Sequence, residues 1–262
     1  MYRTVLALFI FCIAPLPAQS LDVLKKMTSQ EQFYLKNFFR KTVCKDHWGY
    51  ALFFDKPASL AGFFLKCPSQ DISNPYSNRL MKKGWHVWRK YCSDFSTEHF
   101  IICEEVDPSE EIPPVDIICK IYLINKSAFL HVLYENLDLF KSRLGDDFSP
   151  EKLLLTIEHT KTLTPHLNYD EGLLGVVLGF EVESALLFGK RTSSQVLLHN
   201  PLLQRVCSTQ PPHYKIYPVA FTGNPESPQV QKLLDKYSYQ TPFIEKVVRN
   251  KQFLELVLER FG

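Results

Sequence analysis

The sequence lacks the short motifs by which the common enzyme classes are recognised. It contains no G-x-S-x-G nucleophile elbow, no phosphate loop followed by a Lys-Ser/Thr pair, no H-E-x-x-H zinc motif and no dinucleotide-binding fingerprint. Each of these motifs places a reactive side chain or a run of backbone N–H groups where one kind of chemistry needs it. Without them the sequence predicts no particular reaction, no cofactor and no metal ion.

The sequence also lacks a large excess of charge of either sign. Its 30 Lys and Arg residues are matched by 28 Asp and Glu residues, which gives a formal net charge of +2. No basic stripe or acidic tail is visible along the chain, and this argues against nucleic acid as the main partner. Long apolar runs are confined to the N-terminus, so no membrane-spanning segment is predicted in the rest of the chain.

The N-terminus has the three parts of a cleavable signal peptide over residues 1–20. Arg3 supplies the positive charge, and residues 5–14 form an apolar core that is too short to span a bilayer. Prolines end this core, and the small residues Ala18 and Ser20 fit a peptidase site. We expect cleavage after Ser20, with cleavage after Ala18 as the alternative. The product is then an exported protein, periplasmic or secreted.

Cysteine is scarce, and its arrangement does not fix a disulfide framework. Six cysteines follow the predicted signal peptide, and six cysteines allow 15 pairings between which a sequence cannot choose. Cys103 and Cys119 each lie inside a predicted strand, where a thiol behaves as a small apolar group. We expect one disulfide at most. The remaining cysteines are Cys44, Cys67, Cys92 and Cys207.

The composition predicts a folded body after the signal peptide. Hydrophobic residues make up 45% of the chain and charged residues 22%, as in ordinary globular proteins. Helix and strand patterns are intermixed without a steady strand-helix-strand rhythm. This favours an α+β fold in which several helices pack on a small, mainly antiparallel sheet. We predict a single domain over residues 21–262, with residues 146–150 as the candidate seam.

Capping residues, prolines and apolar spacing predict the elements of this domain. The capping box from Thr28 to Glu31 starts the first helix, and Glu171 completes a capping pattern that begins at Asn168. Helices are predicted from Ser29 to about Val43, from Pro75 to about Phe95, from Asn125 or Lys126 to Gly145, and from Pro150, Asn168, Pro228 and Pro242 onward. Strands are predicted over residues 48–54, 99–103, 116–124 and 214–221, the second and third as an antiparallel pair.

A strip of glycines interrupts an apolar helix predicted over residues 169–190. Gly172, Gly175 and Gly179 are spaced i, i+3 and i+7, which places them on one helix face. No Lys-Ser/Thr pair follows, so the strip predicts close packing against a neighbour and not a phosphate cradle. Glu181 and Glu183 follow the strip. If this helix lines a pocket, Glu181 is the first candidate acid.

Cys44 and His47 have the spacing of half a zinc site. A second closely spaced pair is absent, so a surface loop is the better explanation. The other histidines show no arrangement typical of metal ligands.

Aromatic residues are the most informative part of the composition. The chain has 20 Phe, 12 Tyr and 3 Trp, concentrated in residues 33–64 and 85–91. Such a density either fills a core or lines a groove for a ligand or partner. Tyr50, Phe53 and Lys56 belong to the segment that could form such a groove, with Lys56 at its rim.

Two longer motifs occur in the chain. They are G-Y-A-L-F-F-D-K-P over residues 49–57, after F-F-R at residues 38–40, and L-L-G-V-V-L-G-F over residues 173–180, with Arg191 nearby. These motifs resemble those of a family of exported hypothetical proteins from chlamydia-like and other intracellular bacteria. The usual forms of that family are closer to G-Y-x-L-F-G-x-K-P and L-L-G-I-L-L-G-Y-G, so residues 54 and 55 depart from the first, and Glu181 replaces a glycine of the second. The resemblance implies an exported bacterial protein of unknown activity and brings no catalytic residues.

The sequence therefore supports two hypotheses of different classes. The first is a binding protein that takes a protein partner or a small ligand in an aromatic-lined groove near residues 49–57. The candidate binding residues are Tyr50, Phe53, Lys56, Glu181 and Arg191. The alternative is a hydrolase in which Glu181 and a histidine share a pocket beside the glycine-rich helix.

Overall fold

The structure is a computed structural model that describes residues 18–66, 75–93, 98–106, 117–193, 204–207, 216–217 and 219–261. Residues 1–17 of the predicted signal peptide lie outside these residues, as do residues 107–116 and the first residues of the late predicted strand.

Eleven α-helices, one 3-10 helix and five strands make up the described residues. The helices are α1 (Ala18–Lys26), α2 (Ser29–Lys45), α3 (Trp48–Phe53), α4 (Pro75–Cys92), α5 (Lys126–Glu135), α6 (Leu137–Leu144), α7 (Pro150–Thr160), the 3-10 helix (Thr164–Leu167), α8 (Glu171–Val177), α9 (Val182–Ser193), α10 (Pro228–Arg249) and α11 (Phe253–Glu259). The strands are β1 (Ala58–Lys66), β2 (Phe100–Val106), β3 (Ile117–Asn125), β4 (Gln204–Cys207) and β5 (Ala220–Gly223).

The main sheet has three antiparallel strands in the order β1-β3-β2. The predicted pairing of the strands at residues 99–103 and 116–124 is confirmed, because Ile102 lies opposite Leu123 and Cys103 opposite Tyr122. Strands β4 and β5 form a separate antiparallel pair. Helices packed on a small antiparallel sheet confirm the predicted α+β class.

The sheet separates two clusters of buried side chains. Successive residues of a strand point to opposite faces, and in β3 Cys119, Ile121 and Leu123 belong to one cluster whereas Tyr122 and Ile124 belong to the other. Helices α2, α3, α4, α10 and α11 contribute to the first cluster, and α5 to α9 contribute to the second. The central strand is therefore buried on both faces.

The candidate seam at residues 146–150 separates α6 from α7. Phe140 of α6 and Leu153 of α7 belong to the same buried cluster, so the helices on both sides of the candidate seam share one core cluster.

Several helix predictions are confirmed with their capping chemistry. Thr28 and Glu31 form the predicted capping box at the start of α2, and the Ser149 side chain accepts a hydrogen bond from the N–H of Lys152 at the start of α7. The cap of α8 was predicted wrongly. Asp170 is the residue that accepts from the first N–H groups of α8, whereas Asn168 has a left-handed backbone (φ 53°) at the end of the 3-10 helix.

The strand predicted over residues 48–54 is wrong, because this segment forms the short helix α3. His47 starts it with a left-handed backbone (φ 64°). The strand that enters the sheet is β1, immediately after it.

The helix boundaries predicted from prolines and glycines are partly wrong. Residues 126–144 form two helices that are separated at Asn136, and Pro242 lies inside α10 instead of starting a helix. The late strand begins at Ala220, near the end of its predicted range.

Three cysteines are buried thiols that form no disulfide: Cys92, Cys103 and Cys119. Burial raises the pKa of Cys92 and of Cys119 to about 12, so both stay protonated at neutral pH. Cys103 and Cys119 are both buried inside strands, as predicted, but the Cys119 thiol also donates a hydrogen bond to the Glu104 carboxylate (3.6 Å).

None of the helices in the described part of the chain combines the length and the apolar character needed to cross a bilayer.

Candidate functional site

A cleft of about 860 Å³ lies among the described residues. Its walls come from the turn between α3 and β1, from one side of α5, from the turn between α8 and α9, and from the first half of α10. The volume lies in the range of small-molecule and peptide sites. We call this site the α5–α10 cleft, and we define it by Asp55, His131, Glu135, Glu181 and Lys236 at its polar positions and by Pro57, Val132, Val176, Phe180 and Leu233 at its apolar ones.

Asn125 holds two of these walls together. Its side-chain amide donates to the carbonyl oxygens of Ala51 (3.1 Å) and Phe54 (3.0 Å), and its side-chain oxygen accepts from the N–H of Ala128 (3.2 Å) at the start of α5. One side chain thus fixes the end of α3 relative to α5. This connection forms part of the cleft wall, because Asn125 and Phe54 both line the cleft.

The predicted aromatic groove at residues 49–57 divides into a buried part and a cleft part. Tyr50 is fully buried, its hydroxyl lies 2.7 Å from the Thr241 hydroxyl, and burial raises its pKa. Phe53 is partly buried, and its ring centroid lies 6.1 Å from that of Phe243. Neither residue lines the α5–α10 cleft, whose aromatic wall begins one residue later at Phe54.

Lys56 is the most unusual of the predicted residues, because its side chain is buried. Only 3% of the residue is exposed, and its amine donates to the carbonyl oxygens of Ala58 (2.5 Å) and Leu178. The nitrogen also lies 5.6 Å from the centre of the Phe180 ring. Leu178 is the residue that ends α8, so Lys56 satisfies a carbonyl group that the helix leaves without a partner.

Burial lowers the pKa of Lys56 to about 7, and the charge of Lys236 acts in the same direction. A neutral amine has two N–H donors, which matches the two carbonyl oxygens that it contacts. Lys56 was predicted at the rim of a groove. The structure places it beneath the cleft, between Asp55 and Pro57, which both line the cleft.

Asp55 and Lys236 form an ion pair across the cleft wall, with 2.8 Å between the carboxylate oxygen and the ammonium nitrogen. The same carboxylate oxygen lies 3.4 Å from the side-chain amide of Gln240. Burial opposes ionisation of Asp55, but the hydrogen bond from Lys236 lowers its pKa, and the net shift is downward. Asp55 therefore stays ionised at neutral pH.

The glycine strip packs closely, as predicted, but within a helical hairpin and not along one helix. The predicted helix over residues 169–190 is broken into α8 and α9 by a turn at Gly179, whose backbone is left-handed (φ 79°). A side chain at Gly175 would come within 2.8 Å of Ala185, and one at Gly179 within 2.9 Å of Pro57. The glycines allow α9 to fold back onto α8 and allow the turn to touch the cleft wall.

Glu181 lies on this turn, is half-buried and lines the cleft. Its carboxylate accepts hydrogen bonds from the N–H groups of Glu183 (3.0 Å) and Ser184 (2.8 Å) and from the Ser184 hydroxyl (2.6 Å). These are the first donors of α9, so Glu181 caps that helix. The capping role was missed from the sequence, although the pattern E-x-x-S was visible.

Three polar residues form a row on α5 that faces the cleft. Ser127, His131 and Glu135 are spaced by four residues each and all line the cleft. The His131 Nε2 atom lies 3.2 Å from a Glu135 carboxylate oxygen. Both members of this pair are exposed, with side-chain exposures of 71% and 59%. This row also escaped the sequence prediction.

The structure brings Lys56 and Glu181 to the same turn and connects Tyr50 to it indirectly. The Tyr50 and Tyr237 rings are 5.0 Å apart, and the Tyr237 hydroxyl donates to the carbonyl of Gly179 (3.5 Å). Arg191 lies in the last turn of α9, and its side chain is outside the described residues. Within the described part of the chain, no group of three or more His, Cys, Asp and Glu side chains is placed to hold a metal ion.

A second, smaller cavity of about 360 Å³ lies between the end of β2 and the 3-10 helix. Glu105 accepts hydrogen bonds there from the N–H (2.9 Å) and the hydroxyl (2.5 Å) of Thr164. These contacts join the sheet to the segment that precedes α8, so the Glu105 carboxylate has a structural role.

The chain matches no protein-family model, no curated protein and no solved structure.

Proposed function

We propose that the protein is a binding protein whose α5–α10 cleft receives a ligand, or a segment of a partner protein, that has an apolar body and a positively charged group. The observation that carries this proposal is the chemistry of the cleft. Apolar side chains lie beside three carboxylates, those of Asp55, Glu135 and Glu181, whereas Lys236 is the one lysine among the lining residues that we describe.

The charges of the cleft support a cationic occupant. Lys236 compensates Asp55, and Glu181 interacts with the N-terminal end of α9. Glu135 has only His131 as an ionic partner in the described structure, and no lysine or arginine pairs with it there. A cation near Glu135 would therefore gain the most favourable interaction.

A pair of peptides tests this proposal. The probes are Phe-Leu-Lys-Phe-Leu and Phe-Leu-Glu-Phe-Leu with blocked ends, which differ only in the charge of the central residue. We expect the lysine peptide to bind more tightly, and we expect Glu135→Gln to weaken its binding by about two- to fivefold, because one exposed charge interaction is lost. Isothermal titration calorimetry measures both effects.

Glu98→Gln is the matched control, because Glu98 is an exposed glutamate outside the cleft. It should leave binding of the lysine peptide unchanged. Equal affinity for the two peptides, or equal losses in the two variants, would contradict the proposal.

The row Ser127, His131 and Glu135 favours hydrolysis as the second candidate function. A hydroxyl, an imidazole and a carboxylate in this order are the groups of a nucleophile, a general base and its orienting acid. This row replaces Glu181 as the acid of the hydrolase hypothesis, because the Glu181 carboxylate accepts three hydrogen bonds at the start of α9.

An ester substrate separates the two candidates. If the row is catalytic, p-nitrophenyl acetate is hydrolysed and the rate falls by at least about a hundredfold in both Ser127→Ala and His131→Ala. Ser142→Ala on α6 is the control and should keep the full rate. A rate equal to that of free imidazole at the same concentration, or no loss in Ser127→Ala, would leave binding as the function of the cleft.

A further inference from the structure

Helices α2 and α4 lie side by side in antiparallel directions. The Lys83 ammonium nitrogen lies 2.9 Å from the Tyr34 hydroxyl. Seven residues later on α4, the Lys90 ammonium nitrogen lies 2.8 Å from a carboxylate oxygen of Glu31, which is three residues before Tyr34 on α2. Gly84 lets the helices approach closely, because a side chain there would come within 2.6 Å of the Tyr34 carbonyl oxygen. The two helices therefore form one continuous surface, although 29 residues separate them in the sequence.

The two helices carry a large excess of positive charge. The two helices contain nine Lys and Arg residues and a single acid, Glu31, which is a net charge of +8. The whole chain has a net charge of +2, so the residues outside the two helices carry a net charge of −6. The small net charge of the whole chain is therefore the sum of a positively charged part and a negatively charged part.

Most of these cations form no ion pair in the described residues, although Lys41 and Lys45 act on the buried carboxylate of Asp46 at the end of α2, whose pKa burial raises to about 6 and their charges lower. Lys90 pairs with Glu31, and Arg89 approaches Glu104 at 3.5 Å. The other seven have no acidic partner within 4 Å in the part of the chain that the structure describes. They are Lys36, Arg40, Lys41, Lys45, Arg79, Lys82 and Lys83.

Helical spacing places a subset of them in two adjacent rows. Tyr34, Lys41 and Lys45 follow one side of α2, and Tyr76, Arg79 and Lys83 follow the facing side of α4. A shallow groove of about 270 Å³ between the helices is lined by Arg40, Lys41, Lys45, Tyr76 and Ser77, among others. We call these two rows, with Arg40, the basic face.

The tyrosines of the basic face lie among its cations. The Lys83 nitrogen is 4.6 Å from the centre of the Tyr34 ring, and the Arg79 guanidinium is 5.9 Å from that of Tyr76. Tyr76 is 57% exposed, and Phe33, whose ring contacts that of Tyr34, is 49% exposed. Aromatic side chains among exposed cations are typical of surfaces that lie in the interface of a membrane.

We propose that the basic face attaches the protein to membrane surfaces that contain anionic phospholipids. Two helices side by side give a surface about 25 Å long that an extended array of headgroups can cover. Lysine and arginine near such a surface each contribute to attraction, while the negatively charged remainder of the molecule is repelled, so the face is turned toward the lipid. A short acidic peptide would meet only part of the two rows.

Vesicle binding tests this proposal with the full chain. The probes are vesicles of phosphatidylcholine with about a third of phosphatidylglycerol, and vesicles of phosphatidylcholine alone. We expect binding to the first at low salt, with a loss as the salt concentration rises. The combined variant Lys41→Gln, Lys45→Gln, Arg79→Gln and Lys83→Gln should bind about a hundredfold more weakly, because four charges are removed from the contact.

The matched control removes the same number of charges from other surfaces. Its four substitutions are Lys152→Gln, Lys232→Gln, Lys246→Gln and Lys251→Gln, at exposed positions outside α2 and α4. This variant should bind as the unaltered protein does. All three proteins carry the same apolar N-terminus, so the difference between them reports the basic face.

Three results would overturn the proposal. They are no preference for anionic vesicles, equal binding by the two combined variants, and tighter binding to duplex DNA or to polyglutamate than to the anionic vesicles at the same salt concentration. A variant with arginine at all four positions keeps the charges and should keep vesicle binding. Circular dichroism confirms that each variant has the helix content of the unaltered protein.

Discussion

Replacing Gly84 with leucine is expected to lower the free energy of unfolding by about 3 kcal/mol or more. Gly84 is where α4 crosses α2, and a side chain there would come within 2.6 Å of the Tyr34 carbonyl oxygen and closer still to the Cβ atom of Phe38. Neither atom can move without displacing its helix, because one belongs to the backbone and the other is bonded to it. Urea denaturation followed by circular dichroism measures the loss.

His86→Leu is the control for Gly84→Leu. His86 is exposed on the same helix, so the same new side chain enters without a clash and should change stability by about 0.5 kcal/mol or less. Gly84→Ala should fall between the two, because the higher helix propensity of alanine offsets part of its clash. If Gly84→Leu is as stable as His86→Leu, the close approach of the two helices is wrong.

The stability of the native protein is expected to rise with pH above about 7 because of Lys56. Its folded pKa is about 7, and its unfolded value is 10.5. Between these values the unfolded chain holds a proton that the folded protein does not, so each unit of pH favours the folded state by about 1.4 kcal/mol. Below pH 7 both states are protonated, and the contribution no longer changes with pH.

Comparison with Lys56→Met isolates this contribution. From pH 7 to about 9.5 the native protein should gain about 3 kcal/mol relative to the variant, while the other ionisable groups act on both proteins alike. The upper limit stays below the titration of the buried tyrosines Tyr50 and Tyr237, whose pKa values burial raises. Lys232→Met, at an exposed position, should follow the native profile. Parallel profiles for the native protein and Lys56→Met would show that Lys56 is not buried as described.

The sequence predicted the α+β class because its strongest signals are local. The capping box at Thr28 and the apolar run of β3 act within a few neighbours, and both are confirmed. The segment at residues 48–54 was predicted wrongly, because its aromatic residues are typical of strands although they fill a helix against α10. Tyr50, for example, contacts Thr241, which is 191 residues away in the sequence.

Strand β1, which follows this segment, was not predicted, because its first residues are not typical of strands. Residues 58–62 of β1 are Ala, Ser, Leu, Ala and Gly, which are weak strand formers. Pairing with the fully buried strand β3 determines their conformation, and that pairing is not visible in the sequence. Pro242 is a second case in which a local signal gave a wrong prediction. A proline is typical of a helix start, but the helix α10 continues through Pro242.

The candidate site was predictable only in part. Lys56 and Glu181 were identified from motifs, and the structure places both at the turn between α8 and α9, but their roles depend on Leu178 and Ser184. The row on α5 has regular spacing but no motif. The basic face was not predicted, because neither helix stands out against a chain whose total charge is near zero.

Helix α1 bears on the cleavage site that the sequence predicts. It runs through the bond between Ser20 and Leu21, and Val23 and Leu24 within it and Met27 just after it are buried in the first cluster. Because peptidases act on extended segments, a peptidase that cut this bond would have to act before the helix docks onto α11. Such a cut would leave a positively charged amino group at the start of the shortened helix, where the helix dipole is unfavourable to it. The cut helix would therefore be held to α11 by its buried apolar residues and not by its own stability.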